Sequence, residues 1–429
     1  MKLLIKNGQV IDARTERNGI FDIVIEGEKI QEIGKDIEIT NCDFIDAAGK
    51  YVLPGLVDAH CHLRDPGFEY KEDIESGTRS AAVGGFTSIA CMPNTNPVID
   101  SEPLVKYVIN KAKQDGVVNV YPIGSITKGL KGEELSEIGE LKFAGAVAIS
   151  DDGRPVKNPS IMKKALEYAS MFDITVISHC EDLELADQGV MNEGLQSTLM
   201  GLKGIPAAAE ELMVAREVIL SEYTKVPVHI AHVSTSLAVD LIRNAKKRGV
   251  NVTCETCPHY FSLTEDACSD FNTLAKVNPP LRTAKDANAI VEGLKDGTID
   301  IIATDHAPHH VDEKNVEFAV AANGIAGFET AFSLAMTYLV KPGHLTIEQL
   351  VEKMCVNPSR ILGLNKGSIE VGRSADIIIV DPDEEYYVDI NKFKSKSRNS
   401  PFHGFKLTGS VYYTIVNGNV VVREKVLLK

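Results

Sequence analysis

Tyr51-Val52-Leu53-Pro54-Gly55-Leu56-Val57-Asp58-Ala59-His60-Cys61-His62-Leu63-Arg64 is the stretch on which the fold turns. The run from Tyr51 to Val57 is apolar and reads as one buried strand, ending in the polar cluster that follows. On a strand, residues two apart point the same way. His60 and His62 therefore offer two imidazoles to one point at the strand's carboxyl end. Imidazole suits zinc and similar divalent cations. A lone His-x-His is more often a pair held by hydrogen bonds at a strand end, so its weight depends on what the rest of the chain supplies.

Upstream, residues 3 to about 50 read as a small β region. Leu3-Leu4-Ile5-Lys6-Asn7-Gly8 and Asp22-Ile23-Val24-Ile25-Glu26-Gly27 are short strands, each closed by a turn pair. Downstream the texture changes. Apolar runs alternate with amphipathic segments such as Ser160 to Phe172, Ala207 to Tyr223 and Leu237 to Arg248. Eight runs begin near Val52, Thr87, Val118, Ala146, Thr175, Val228, Val252 and Ile299. Eight βα units over this length favour a closed α/β barrel, the (β/α)8 TIM barrel, over an open sheet. Phe328 to Val340 and Ile347 to Met354 read as further helices. A hairpin closes the chain, from Val411 to Val416, through Asn417-Gly418, to Val420 to Val426. The two β-rich ends flank the barrel, and either alone has too few strands to bury a face. We expect residues 1–52 and 365–429 to build one small β-sandwich around a barrel of residues 53–364.

Barrel enzymes carry their chemistry at the carboxyl ends of the strands. Strand one ends in His60 and His62, and strand two in Cys91-Met92-Pro93-Asn94-Thr95. Strand four ends in Ser150-Asp151-Asp152-Gly153, and strand five in Ser178-His179-Cys180-Glu181. Strand six ends in Ala231-His232-Val233-Ser234, and strand eight in Ala303-Thr304-Asp305-His306. Buried imidazoles need partners, and buried carboxylates need compensating charge. A divalent cation answers both demands, so this constellation reads as a metal site.

Composition sets the class. The 429 residues are 44% hydrophobic and 24% charged, enough to bury a large core. The net charge of −15 argues against nucleic acid or an anionic membrane as partner. No apolar leader follows Met1-Lys2 and no run is long enough to span a bilayer. The eight cysteines are scattered, as in a reduced, cytoplasmic protein.

The arrangement resembles the amidohydrolase superfamily and, within it, the class I dihydroorotases. The likeness covers nearly the whole chain. It is carried by Asp58-Ala59-His60-Cys61-His62-Leu63-Arg64-Asp65-Pro66-Gly67, by Met92-Pro93-Asn94-Thr95 and by Ala303-Thr304-Asp305-His306-Ala307-Pro308-His309. The tail motif Gly372-Arg373-Ser374-Ala375-Asp376 is shared more widely. The resemblance implies two zinc ions, one on His60, His62 and Asp305 and a second on His179 and His232, with Asp152 bridging them. It places His62, Arg64, Asn94, Asn278, His309, Asn323 and Gly324 against the substrate. The activity implied is the reversible cyclisation of N-carbamoyl-L-aspartate to L-dihydroorotate with loss of water, a step in pyrimidine (UMP) biosynthesis. A zinc-held hydroxide would be the nucleophile and Asp305 the general acid and base. Arg64 suits the substrate carboxylate as a bidentate donor.

Two features depart from relatives. The segment Ala322-Asn323-Gly324-Ile325-Ala326-Gly327 usually opens with a proline and a bulky apolar residue. Many relatives, allantoinases and hydantoinases among them, also bridge their metals with a carbamylated lysine at the end of strand four. Here that end is Asp151-Asp152-Gly153, and Lys157 lies beyond Pro155 in the loop. Those enzymes are the rival reading. A catalytically silent barrel that serves only as a scaffold is the other, but all six metal positions are filled. We expect a homo-oligomer, with aspartate carbamoyltransferase as a candidate partner. His229 lies three residues from His232 on one strand, so it faces the other way and reads as packed. Cys254 and Cys257 read as small core residues, and His344 and His403 as surface residues. His259 and His310 stay open. The stretch Pro308 to Asn315 is polar and loop-like, suited to a lid.

Overall fold

The computed structural model describes residues 2–428. The chain opens with five strands, β1 (Lys2–Asp12), β2 (Arg17–Glu26), β3 (Lys29–Gly34), β4 (Asp43–Asp46) and β5 (Tyr51–Pro54). Asn7-Gly8 is a bulge inside β1, where the register shifts and Asn7 takes φ +60°, and not the closing turn that the sequence suggests. The pair Glu26-Gly27 does turn the chain between β2 and β3.

The apolar run from Tyr51 to Val57 is two strands, which corrects the reading of one. Tyr51–Pro54 forms β5 of the terminal sheet, and β6 (Leu56–Cys61) is the first barrel strand. Gly55 makes the handover. Its N–H donates to the Asp376 carbonyl at 2.9 Å, and a Cβ there would sit 2.1 Å from Thr87 Oγ1. Both halves are buried, so hydropathy carries no sign of the break.

The barrel continues through β7 (Phe86–Cys91), β8 (Asn119–Gly124), β9 (Ala148–Ser150) and β10 (Thr175–Ser178). A short parallel pair, β11 (Met191–Asn192) and β12 (Gly204–Ile205), stands outside it. The barrel resumes with β13 (Val228–Ile230), β14 (Val252–Thr256) and β15 (Ile301–Ile302). Neighbours run in the order β6-β7-β8-β9-β10-β13-β14-β15, each pair parallel. Closure comes from a parallel bridge between Cys61 and His306, where the His62 N–H donates to the His306 carbonyl at 2.8 Å. Helices such as Pro159–Ser170, Ala208–Thr224 and Ser236–Lys247 cover the outside, close to their expected bounds. The interior holds mostly small side chains, Ala59, Ala90, Ala148, Ala231 and Ala303, with Ile123, Ile177 and Ile301. Small residues leave room for the polar cluster above them.

The tail supplies β16 (Ile377–Tyr387), β17 (Lys406–Val416), β18 (Asn419–Arg423) and β19 (Val426–Leu427). These join β1 to β5 in a nine-stranded sheet. The seam is β5, which pairs in parallel with β1 and antiparallel with β16. Alternation along β5 assigns its faces: Val52 joins Ile5, Ile23, Ile377 and Ile415 in the sheet's own core, while Leu53 packs toward the barrel core. Among the described residues, no helix is long and apolar enough to cross a membrane.

Candidate active site

A cavity of about 300 Å³ opens at the carboxyl ends of the barrel strands. It is lined by His62, Arg64, Asn94, Asp152, His179, His232, Asn278, Asp305, His309, Asn323 and Gly324, with Gly153, Val277 and Ala307. Every residue singled out from the sequence is there except His60, which lies fully buried beside it. Asp151 and Asp152 are neighbours at the end of β9, and their partners send them opposite ways. Asp151 accepts the N–H groups of Ile126 at 2.8 Å and Thr127 at 3.0 Å, which turns Asp152 into the cavity.

The donors converge. His60, His62 and Asp305 bring ligand atoms within 4.8 Å of one another, and so do His60, Asp152 and His232. His179 stands beside both, with Nδ1 2.8 Å from His232 Nε2 and 3.4 Å from Asp152 Oδ1. Three residues at these strand ends take left-handed backbone, Arg64 at φ +62°, His232 at +32° and Asp305 at +45°. Such positions cost on the order of 1–3 kcal/mol each and persist only where the surroundings dictate them. At Asp305 the dictating group is Asp58, fully buried, which accepts the Thr304 N–H at 2.9 Å and hydroxyl at 2.6 Å.

The imidazoles are set for a cation. The Nδ1–H of His60 donates to Glu255 Oε1 at 2.6 Å, that of His62 to Asn94 Oδ1 at 2.9 Å, and Nε2–H of His179 to Glu181 Oε2 at 3.3 Å. In each ring the other nitrogen faces the centre, His62 Nε2 3.1 Å from Asp305 Oδ1 and His179 Nδ1 2.8 Å from His232 Nε2. His60 Nε2 and Asp152 Oδ1 are buried, 3.5 Å apart, and neither has a hydrogen-bond partner. A metal between them would satisfy both, so the donor set fits a divalent cation.

Charge tells the same story. Burial raises the Asp305 carboxyl, but His60, His62 and His232 outweigh it and hold it down to about 2. Burial likewise opposes the ionised form of Asp152, yet His60, His179 and His232 hold it well below the carboxylate range. Burial lowers His179, and Asp152 and Glu181 reverse this and raise it to about 10. The carboxylates demand positive charge, which protons or metal can supply.

Sequence reasoning missed Glu255. It lies fully buried near the end of β14, accepts from His60 Nδ1 at 2.6 Å, and also accepts from His229 Nε2 at 3.1 Å. His229 is packed as expected, with its other nitrogen on Thr253 Oγ1 at 2.8 Å. The strand-seven end, Glu255-Thr256-Cys257, was legible as a buried run ending in an acid. Replacing Glu255 by glutamine should weaken metal retention by ~10–100-fold, the usual range for a carboxylate behind a histidine ligand. Competition with a chromophoric chelator measures it, and unchanged affinity would remove Glu255 from the site. Asn278 was expected, but not its tie: Nδ2 donates to Glu181 Oε2 at 3.1 Å, and Oδ1 is buried without a partner. His259 is buried and lowered by burial to about 4, and its donor atom lies within 4.8 Å of those of Cys257 and Asp305. All eight cysteines are free, Cys254 and Cys257 buried among them. His403 is exposed and His344 half-buried.

On the substrate side, Arg64 Nη2 lies 3.2 Å from His309 Nε2, and Arg64 Nε donates to the Pro308 carbonyl at 3.1 Å. Burial and the neighbouring Arg64 cation lower His309 to about 3. Asn323 turns its carbonyl to His309 Nε2 at 2.8 Å. Gly324 sits at φ +148°, where a Cβ would meet the Ala307 carbonyl at 2.5 Å, so only glycine fits. The expected lid holds one short helix, Val311–Lys314, capped by His310. Lys314 is buried and donates to the carbonyls of Thr273, Lys276 and Ala322 at 2.7–3.1 Å.

The chain matches the family model described as Dihydro-orotase-like over residues 49–237. It is 79% identical to a curated dihydroorotase of Acetivibrio thermocellus over 426 residues, covering 99% of this chain and 100% of that one. It is 71% identical to the dihydroorotase of Ruminiclostridium cellulolyticum over 428 residues, covering 100% of each. Among solved structures, an L-hydantoinase from Arthrobacter aurescens superposes with a TM-score of 0.90 at 28% identity, covering 100% of this chain and 97% of that one. A dihydropyrimidinase from Brevibacillus agri gives 0.89 at 26% identity, covering 100% and 96%. The fold is thus shared with the hydantoinase and dihydropyrimidinase structures at low identity, while the high identity over the full length is to dihydroorotases: this chain belongs to the dihydroorotase family of metal-dependent amidohydrolases.

Proposed function

We propose that the chain closes N-carbamoyl-L-aspartate to L-dihydroorotate, with loss of water, and opens it again, in pyrimidine biosynthesis. The observation that carries this reading is the Arg64 guanidinium in the same cavity as the imidazole–carboxylate cage. A cage alone suits any cyclic amide, whereas a half-buried guanidinium lining the cavity wants a carboxylate on the substrate.

In this reading His60, His62, Asp305, His179, His232 and Asp152 would together hold two zinc ions. When bound, such a pair polarises an amide carbonyl and brings the pKa of water toward ~7. The chain's own groups do the rest. Arg64 and Asn94 hold the carboxylate, His309 buttresses Arg64, and the unpartnered Asn278 Oδ1 can accept a ring N–H. Asp305, ionised at neutral pH, moves the proton. In ring opening it takes a proton from the attacking water and returns it to the departing ring nitrogen. In closure the ureido nitrogen attacks the side-chain carboxylate carbon and gives its proton to Asp305, Asp305 passes it to the oxygen that leaves as hydroxide, and a proton from solvent completes the water.

Assay of carbamoyl-aspartate, allantoin and a hydantoin side by side tests the reading. Turnover should be confined to the first, and faster opening of a hydantoin would overturn it. Arg64→Ala should weaken carbamoyl-aspartate and dihydroorotate by roughly 1.5–3 kcal/mol, the value of hydrogen bonds to charged groups. An analogue without the carboxylate should bind almost as before. Equal weakening of both ligands would make Arg64 structural.

A homo-oligomer belongs to the same proposal. Leu212, Ile219 and Tyr223 stand 57%, 62% and 71% exposed along one face of the helix Ala208–Thr224, which supports it. Light scattering tests the oligomer, and co-sedimentation tests the association with aspartate carbamoyltransferase.

A further inference from the structure

Between β16 and β17 the chain leaves the terminal sheet and crosses the barrel mouth. Ser395, Ser397 and Asn399 are all buried there, although none is apolar. Buried polar groups need partners, and these find them on the loops around the cavity. The Ser395 hydroxyl donates to Glu72, and the Ser397 hydroxyl lies 2.8 Å from the His309 carbonyl and 2.9 Å from that of Lys71.

Asn399 does more. Its Oδ1 accepts the His309 N–H at 3.2 Å. Its amide donates one hydrogen to the Ala307 carbonyl and the other to the Gly324 carbonyl, both at 3.0 Å. Its own carbonyl accepts the Ala326 N–H at 2.9 Å. The side chain, 2% exposed, thus ties the segment 307–309 to the segment 324–326 and uses both amide hydrogens and the oxygen. Gly324 is held from its other side by Lys276, whose carbonyl accepts its N–H at 2.9 Å.

We propose that Asn399 is a positioning residue for the substrate. By fixing His309 against the Asn323–Gly324 backbone it sets where Arg64 presents its guanidinium, and so where a carboxylated ring can sit. This rests on reading that side of the cavity as the substrate side. No other side chain can take the place of Asn399. Alanine leaves two carbonyls and one N–H unpaired in the interior. Aspartate keeps the acceptor but turns a carboxylate oxygen toward two carbonyl oxygens.

The experiment is steady-state kinetics of Asn399→Ala and Asn399→Asp, with metal content and thermal midpoint measured on the same preparations. KM for carbamoyl-aspartate should rise about 10–100-fold while kcat stays within about threefold, since binding geometry is lost and the chemistry is not. Metal content should be unchanged. In the double variant with Arg64→Ala the two KM effects should combine to less than their product, because both act through the same contact. KM unmoved, kcat and KM falling off together with metal content, or full multiplicativity would each overturn the proposal. If Asn399→Ala does not fold, Asn399→Ser keeps one donor and is read the same way. If neither folds, Asn399 is a fold determinant only and the proposal fails. A wild-type enzyme that does not turn over carbamoyl-aspartate would instead sink the reading beneath it.

Discussion

Replacing Asp305 with asparagine should lower turnover by ~10²–10⁴-fold, the range for losing a positioned general acid and base. The amide keeps the shape and can still face His62, whose Nε2 lies 3.1 Å from Asp305 Oδ1. It cannot take a proton from water or return one to the ring nitrogen. Against the opposing effect of burial, the surrounding imidazoles hold the native carboxyl down to about 2, so it is ionised at neutral pH. Metal content must be followed in the same samples, because Asp305 also belongs to the triad with His60 and His62. A variant that keeps its metal and runs at a near-normal rate would remove Asp305 from the proton path.

Stripping the metal should abolish turnover, a loss of several powers of ten, because carbonyl polarisation and water activation go together. Zinc added back in CO2-free buffer should restore it. The reason lies at the end of β9. Asp152 carries its charge without modification and lies 3.5 Å from His60, 3.6 Å from His62, 3.4 Å from His179 and 3.6 Å from His232. The next residue, Gly153 at φ +72°, turns the chain away. Lys157 is exposed, with its backbone carbonyl taken by Arg216 at 3.1 Å. A strict need for bicarbonate would put the bridge on a carbamylated lysine and favour the allantoinase and hydantoinase reading.

The barrel was legible because parallel strands buried on both sides leave unbroken apolar runs, even where β15 keeps only Ile301 and Ile302 as strand. The cluster of imidazoles and carboxylates was legible because its side chains end those runs at fixed places. What escaped had no periodic sign. Gly55 passes the chain from one sheet to another between equally apolar neighbours. Glu255 stands between Cys254 and Cys257, where the thiols draw attention and the carboxylate holds the histidine. Asn399 is a polar residue in a polar loop, and nothing local tells that it ends against His309.

The seam at β5 also bears on how the protein is made. Val52 pairs with Val10 on one side and with Ile379 on the other, and most of the chain lies between those partners. At ~5–20 residues per second, a ribosome exposes one edge of β5 for on the order of tens of seconds before β16 emerges. An unpaired apolar edge invites pairing with a neighbouring nascent chain. The barrel can close in that interval, but the terminal sheet cannot. Newborn chains should therefore depend on holding chaperones until the tail is out, and a ribosome stalled short of β16 should yield aggregates, not a slow enzyme.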